Sequence, residues 1–296
     1  WRWWKKRWQG LARLRERLGD AAIAYESWGG SELLFAADRR ILERMDYLNQ
    51  LLFPIFGQTV FSRRPELIQT FGFNPDWVVD LVYNPLEGQL DPGRMMKALA
   101  AYIQTRGVTI LTGAEVEGLE EKSNGVMVQT RHGVLSSPVN FLGEKVAVCT
   151  NAFSRQFFPE MELLPGRGQV LATQPIPHLL LKGTFHFDEG FYYFRNFQQR
   201  VVFGGGRNQA FEEECNLEFR TTERILLDLQ HKLTNLILPN QAFVIDHSWA
   251  GIMAFTPNKQ VILRKASDRL VVGVGLNGMG IALGSTLGDE IVQLLD

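Results

Sequence analysis

Cysteine is scarce in this sequence: the 296 residues hold two, Cys149 and Cys215. Two isolated thiols build no disulfide framework and suit a reducing compartment, so a cytoplasmic protein is expected. Excess charge is lacking too. Lys and Arg number 31 against 32 Asp and Glu, a formal net charge of -1, which argues against nucleic acid as the main partner, since phosphate binding needs an excess of Lys and Arg on one face. No apolar run approaches the roughly eighteen residues of a membrane-spanning helix, and no basic stretch followed by an apolar one reads as a secretory signal. The histidines, His132, His178, His186, His231 and His247, show no H-x-x-x-H or paired-cysteine spacing, so no metal site is expected. Nucleophile-elbow, P-loop and Cys-His signatures are missing as well.

What is present is ordinary globular composition, 45% hydrophobic and 21% charged, enough for one large or two ordinary domains. The opening WRWWKKRW, Trp1 to Trp8, is cationic and aromatic, a composition that can lie on an anionic membrane. Its spacing argues otherwise. Trp4, Trp8, Leu11, Leu14 and Leu18 recur at three or four residues, as on a helix burying one face against protein, so membrane contact is not expected.

Further along, Arg39 to Leu51 reads as a second helix, and Phe53 to Pro85 as loops and short strands. Asp91 is a good N-cap and Pro92 a good first helical residue, with Met95, Leu99, Ala100 and Ile103 on one face up to Gly107. Val108 to Leu111 then reads as a short buried strand, giving the helix-glycine-strand order of an α/β layer. Short extended pieces follow at Val116 to Glu120, Gly125 to Thr130 and Gly133 to Leu135, and an apolar strand at Val146 to Cys149. From Pro165 the pattern is antiparallel sheet: Gln169 to Thr173, Thr184 to Phe187, Phe191 to Arg195 and Val201 to Gly204. A helix at Thr222 to Leu236, strands at Phe243 to Phe255, Val261 to Leu263 and Leu270 to Val274, and a last helix at Met279 to Leu295 complete the chain.

The stretch VVGVGLNGMGIALG, Val271 to Gly284, contains G-x-G-x-x-G at Gly273, Gly275 and Gly278. A pyrophosphate fingerprint needs a second strand, with an acidic ribose-binding residue about 20 residues on. The sequence ends at Asp296, too soon for that strand. The glycines suit either a cofactor contact of another kind or a tight strand-to-helix turn.

Six stretches, in this order, resemble the FAD-dependent amino-acid oxidase superfamily that includes glycine oxidase, sarcosine oxidase and D-amino-acid dehydrogenases. They are EGQLDPGRMMKALAAYIQTRGVTI, VAVCTNAF, LPGRGQVLAT, FYYFRNFQQRVVFGGGRN, HSWAGIMAFTPNKQVI and VVGVGLNGMGIALGSTLGDEIVQLL. The resemblance implies an α/β (α+β mixed) fold. A layered FAD/NAD(P)-binding-type domain is expected from residues 1–24, 86–164 and 250–296. An antiparallel-sheet substrate domain, from residues 25–85 and 165–249, is expected to be intertwined with it. The family's own G-x-G-x-x-G precedes everything matched here, so the layered domain is expected to be incomplete at its N-terminus, lacking the first βαβ unit.

The resemblance further implies FAD as cofactor and an amine or amino acid as small-molecule substrate, whose C–N bond is oxidised by hydride transfer to flavin N5. The alternative is a truncated, non-catalytic member acting as a binding module. FAD would be non-covalent, since no cysteine lies between His247 and Leu295. Backbone around Leu276, Asn277, Gly278, Met279, Gly280, Ile281 and Ala282 would face the flavin, helped at Gly278 and Gly280 by the missing Cβ. Gly251, Ile252, Thr150 and Asn151 are matched to further cofactor contacts, and Val116 to an adenine contact.

Alternation places Tyr193 and Arg195 on one face of their strand, and a guanidinium beside a phenol suits an amino-acid carboxylate. Arg207 is the second candidate, and a structural ion pair with Asp188 or Glu189 the competing role. Two departures bear on the substrate. Met253 stands where glycine oxidase-like members carry Arg, and Ala282 where sarcosine oxidase-like members carry Lys.

Overall fold

A computed structural model describes residues 2–132 and 138–296. In chain order the helices are α1 (Arg2–Leu18), α2 (Asp20–Ile23), α3 (Arg40–Phe56), α4 (Glu66–Phe71), α5 (Pro92–Gln104), α6 (Glu223–Lys232) and α7 (Gly280–Leu295). The strands are β1 (Gly30–Leu34), β2 (Ser62–Arg63), β3 (Asp80–Asn84), β4 (Ala114–Lys122), β5 (Gly125–His132), β6 (Val139–Gly143), β7 (Val146–Val148), β8 (Leu164–Thr173), β9 (Thr184–Phe187), β10 (Tyr192–Phe197), β11 (Arg200–Gly205), β12 (Ile245–Phe255), β13 (Ile262–Lys265) and β14 (Leu270–Val274). The fold is mixed α/β, and the chain divides into two compact units.

The first unit comprises Ala24–Asp91 and Arg167–Ile252. Its frame is an eight-stranded sheet in the order β12-β8-β11-β10-β9-β1-β3-β2. Neighbours are antiparallel where the pairing is resolved, except that β1 runs parallel to β9. Alternation along each strand sends Phe185, Phe187, Tyr192, Phe194, Val201 and Phe203 to one face, where they meet Ile225 and Leu229 of α6 and Phe73 after α4. Stacked and edge-on aromatic pairs fill this core, with Phe187 and Tyr192 at 4.8 Å and Phe185 and Phe194 at 4.8 Å. The Tyr192 hydroxyl donates to Asp228 Oδ2 at 2.7 Å, which satisfies the one polar atom that ring brings in.

The second unit comprises Arg2–Ile23, Pro92–Gly166 and Met253–Asp296. It holds two three-stranded sheets, β13-β14-β7 and β4-β5-β6. β14 pairs parallel to β7 and antiparallel to β13. α7 packs on β14 through Leu287 and Ile291, and α1 packs on α7. Gly10 permits that contact: a Cβ there would stand 2.1 Å from the Ala282 carbonyl oxygen.

Three expectations need correcting. Val108 to Leu111 is not a strand, and Val108, Ile110 and Leu111 are exposed; an apolar run makes a strand only where a ladder partner is present. Phe53 to Pro85 is not all loops and strands, because Pro65 starts α4 and Gly72 in the left-handed region ends it. The buried stripe of α1 is not the expected one: Leu14 is buried, but Trp8 is 48% exposed and Trp4 36%. The expected strand Gly133 to Leu135 lies outside the described residues.

Candidate cofactor turn and substrate face

In the second unit the C-terminal ends of β7 and β14 lie side by side, as at the ligand-binding edge of parallel α/β layers. There the chain joins the predicted cofactor residues to one another. Asn151, at φ 48°, accepts the Gly275 N–H on Oδ1 at 3.2 Å. Asn277, at φ 52°, donates its N–H to the Ala254 carbonyl at 3.0 Å, and its Oδ1 accepts the Thr256 N–H at 2.9 Å. Thr150 pairs its hydroxyl with Ser154 at 2.8 Å. These bonds bring strand ends distant in sequence into one turn.

The three glycines of the G-x-G-x-x-G divide into two roles. Gly273 serves packing, since a Cβ would meet Ile291 Cδ1 at 2.4 Å. Gly275 and Gly278 serve conformation, with φ of 77° and 78°. At Gly278 an added Cβ would make one ordinary contact, with Met253 Sδ at 3.7 Å. Gly280 has no positive φ and opens α7, whose N-cap, Met279, supplies no side-chain hydrogen bond. The first-turn N–H groups of Gly280, Ile281 and Ala282 therefore lack both an intrahelical acceptor and a side-chain cap. A helix start of this kind suits a group that carries or develops negative charge. The turn leads directly into α7, which runs from Gly280 to Leu295.

Val116 lies on β4, where its carbonyl accepts from Gln156 Nε2 at 3.1 Å and β4 bulges towards Gly118. Gly251 and Ile252 lie on β12, and an added Cβ at Gly251 would meet nothing within 4 Å.

In the first unit, Tyr193 and Arg195 occupy the sheet face opposite the aromatic core. Tyr193 is 40% exposed, and its ring crosses β11 above Gly204, where a Cβ would stand 2.8 Å from it. Packing around the phenol pushes its pKa up, and the Arg207 guanidinium pulls it the other way. Arg207 follows the left-handed Gly206 at the end of β11 and stacks on Phe211 at 4.8 Å. Burial pulls the guanidinium pKa down, and Glu214, Cys215 and Tyr193 push it up. The loop that carries it is held by Arg167, which is fully buried and pairs Nε and Nη2 with the Glu214 carboxylate at 2.9 and 2.6 Å. Gln169 donates to the same carboxylate at 2.9 Å.

Arg195 has a different setting. It donates to the Leu90 carbonyl at 2.6 Å, stacks on Phe197 at 5.3 Å, and is lowered in pKa by burial against the fields of Asp91 and Glu26. Neither Asp188 nor Glu189 is among these partners. Tyr193 thus shares its electrostatic surroundings with Arg207, fourteen residues further along the chain, rather than with the near neighbour that spacing suggests. Two residues on the same face were missed from sequence, Glu32 on β1 and His186 on β9. They are in register across parallel strands, and His186 is in register with Tyr193. Their separation of some 150 positions leaves no local signal.

The family description for FAD dependent oxidoreductases matches residues 1–294. The chain belongs to this family. No curated protein matches it by sequence. Among solved structures, L-proline dehydrogenase from P. horikoshii is similar with a TM-score of 0.77 and 18% identity, over 98% of this chain and 78% of that one. Glycine oxidase from Bacillus cereus ATCC 14579 gives 0.76 and 19%, over 97% and 78%. Iminodiacetate oxidase from Chelativorans sp. BNC1 gives 0.75 and 17%, over 98% and 78%. At these identities the likeness is one of fold. Among the described residues no group of three His, Cys, Asp or Glu is placed to hold a metal, and no helix is long and apolar enough to cross a membrane.

The turn's own chemistry is compatible with FAD: uncapped N–H donors and two glycines at positive φ, with only an ordinary contact to Met253 near Gly278.

Proposed function

We propose that this FAD-dependent oxidoreductase oxidises the C–N bond of an amino acid or secondary amine, binding the substrate carboxylate between Tyr193 and Arg207. What supports the reading is that Tyr193 stands on the sheet face opposite the aromatic core, with the Arg207 guanidinium, just past the end of β11, near enough for its field to act on the phenol. A guanidinium takes a carboxylate through two parallel N–H bonds, and a phenol adds a third donor. The structures of similar fold are named for activity on proline, glycine and iminodiacetate, all of which pair an amine with a carboxylate.

In this reading FAD, when bound, supplies the hydride acceptor. The N–H donors at the start of α7 would stabilise the negative charge that a flavin gains on reduction. Tyr193 and Arg207 fix the carboxylate, which sets the direction of the adjacent carbon, and alignment of this kind lowers the barrier. Arg195 keeps the strand in place through Leu90. Val116, Thr150, Asn151, Gly251 and Ile252 complete the proposed cofactor contacts, and residues 1–24, 86–164 and 250–296 the proposed cofactor domain. Bound flavin should give the purified protein a yellow colour that an amino acid bleaches without oxygen. A protein that takes up FAD yet is bleached by no amine would instead be a non-catalytic member of the fold.

A further inference from the structure

His186 sits on the sheet face opposite the aromatic core, flanked in register by Glu32 on β1 and Tyr193 on β10. Adjacent strands are about 4.8 Å apart, so both neighbours are within side-chain reach of its ring. The Tyr193 ring leans across Gly204 of β11, on the side away from β9. His186 Nδ1 is buried without a hydrogen-bond partner, so Nε2 is the ring atom able to meet a ligand. Glu32 is half-buried. Burial raises its carboxyl pKa, the field of His186 lowers it, and Asp38 and Glu87 raise it further. Asp38 and Glu87 are each engaged elsewhere, the first capping the Phe35 N–H at 2.9 Å and the second accepting from Asn84 at 3.0 Å. A positive charge on this face would relieve the crowding of three carboxylates.

We propose that His186 is a further substrate-binding residue, which takes a proton from the substrate ammonium on Nε2 while Glu32 beside it balances the charge of the imidazolium. This rests on the amine reading above, with the carboxylate held at Tyr193 and Arg207. The step balances simply. One N–H bond of the ammonium breaks, its electron pair stays on nitrogen, and the proton passes to the imidazole. The neutral amine then expels hydride from its carbon, with both electrons of the C–H bond going to FAD and an iminium ion left behind. Among the described residues of this unit, Tyr193 and Arg195 share the face with the pair, and Asp38 and Glu87 act on Glu32 through their fields.

The test is anaerobic flavin reduction by glycine, sarcosine and L-proline across pH 6–10, in the FAD-loaded protein and in His186→Gln. The expected loss in second-order rate is about 100-fold at pH 7. It should shrink as pH approaches the amine pKa, where solution supplies the neutral form. Glu32→Gln should show the same trend, more weakly. The affinity of acetate, read from its perturbation of the flavin band, should be unchanged in His186→Gln, because acetate has a carboxylate and no amine. A loss that is constant with pH, no loss at all, or weakened acetate binding would overturn the role of His186 alone. Reduction of the wild-type flavin by none of the three amines would overturn the amine reading as well.

Discussion

Replacing Gly278 and Gly273 by alanine separates a cofactor turn from a packing turn. At Gly278 the backbone has φ 78°, a region that costs an L-residue about 1–2 kcal/mol. The added methyl itself meets only Met253 Sδ, at an ordinary 3.7 Å. Gly278→Ala should therefore lower unfolding free energy by about 1–2 kcal/mol and no more. At Gly273 φ is not positive, but the methyl would stand 2.4 Å from Ile291 Cδ1 and 2.9 Å from Cγ1. Overpacking of that kind costs about 1–3 kcal/mol, spent on pushing α7 from β14. The two variants should thus be destabilised to a similar degree in urea unfolding. FAD affinity should divide them. With the flavin packed against Gly278 as proposed, the added methyl would crowd the ring, and Kd should rise at least about tenfold, equal to about 1.4 kcal/mol. Gly273→Ala should change Kd less than about threefold. Equal FAD affinity in the two variants would refute the division of roles.

Arg167→Met should be far more damaging than its distance from the substrate face suggests. It leaves the Glu214 carboxylate, 1% exposed, with Gln169 as its remaining side-chain donor, for a loss of about 3–5 kcal/mol in denaturant unfolding, largely recovered by Arg167→Met with Glu214→Leu. Burial pushes the Glu214 pKa up, but its bonds to Arg167 and Gln169 outweigh this and hold it below the usual value. A depressed carboxylate contributes stability above its unfolded pKa, near 4.3, and loses it as pH falls through the folded value. The wild type should accordingly lose stability below about pH 4 more steeply than the double variant. Arg195→Met should remove the bond to Leu90 and cost about 1–3 kcal/mol of stability, with a smaller change in substrate affinity than Arg207→Met, as a direct binding comparison would show.

Much of this architecture was legible because strand alternation and glycine turns are local. Thr184–Phe187 and Leu270–Val274 are where apolar alternation and β-branched runs place them. Pro92 starts α5 and Gly107, at φ 83°, follows its end. Other features depend on contacts between distant residues. The periodicity of α1 marks a helix, but which side is buried depends on Gly10 meeting the backbone of Ala282. Val108 to Leu111 has the composition of a strand and no ladder partner among the described residues. Tyr193 and Arg195 share a face as spacing requires, yet what surrounds each is set by Leu90, Asp91 and Arg207. His186 and Glu32 meet only through the β1–β9 pairing, which no spacing rule reveals.

The central claim is that an amino-acid carboxylate binds at Tyr193 and Arg207. The measurement that tests it is the substrate concentration giving half-maximal anaerobic flavin reduction, compared between the wild type and Arg207→Met. Loss of a bidentate charge-assisted contact should raise it at least about 30-fold, about 2 kcal/mol, while an amine without a carboxylate is affected little. An unchanged half-saturating concentration in Arg207→Met would contradict it.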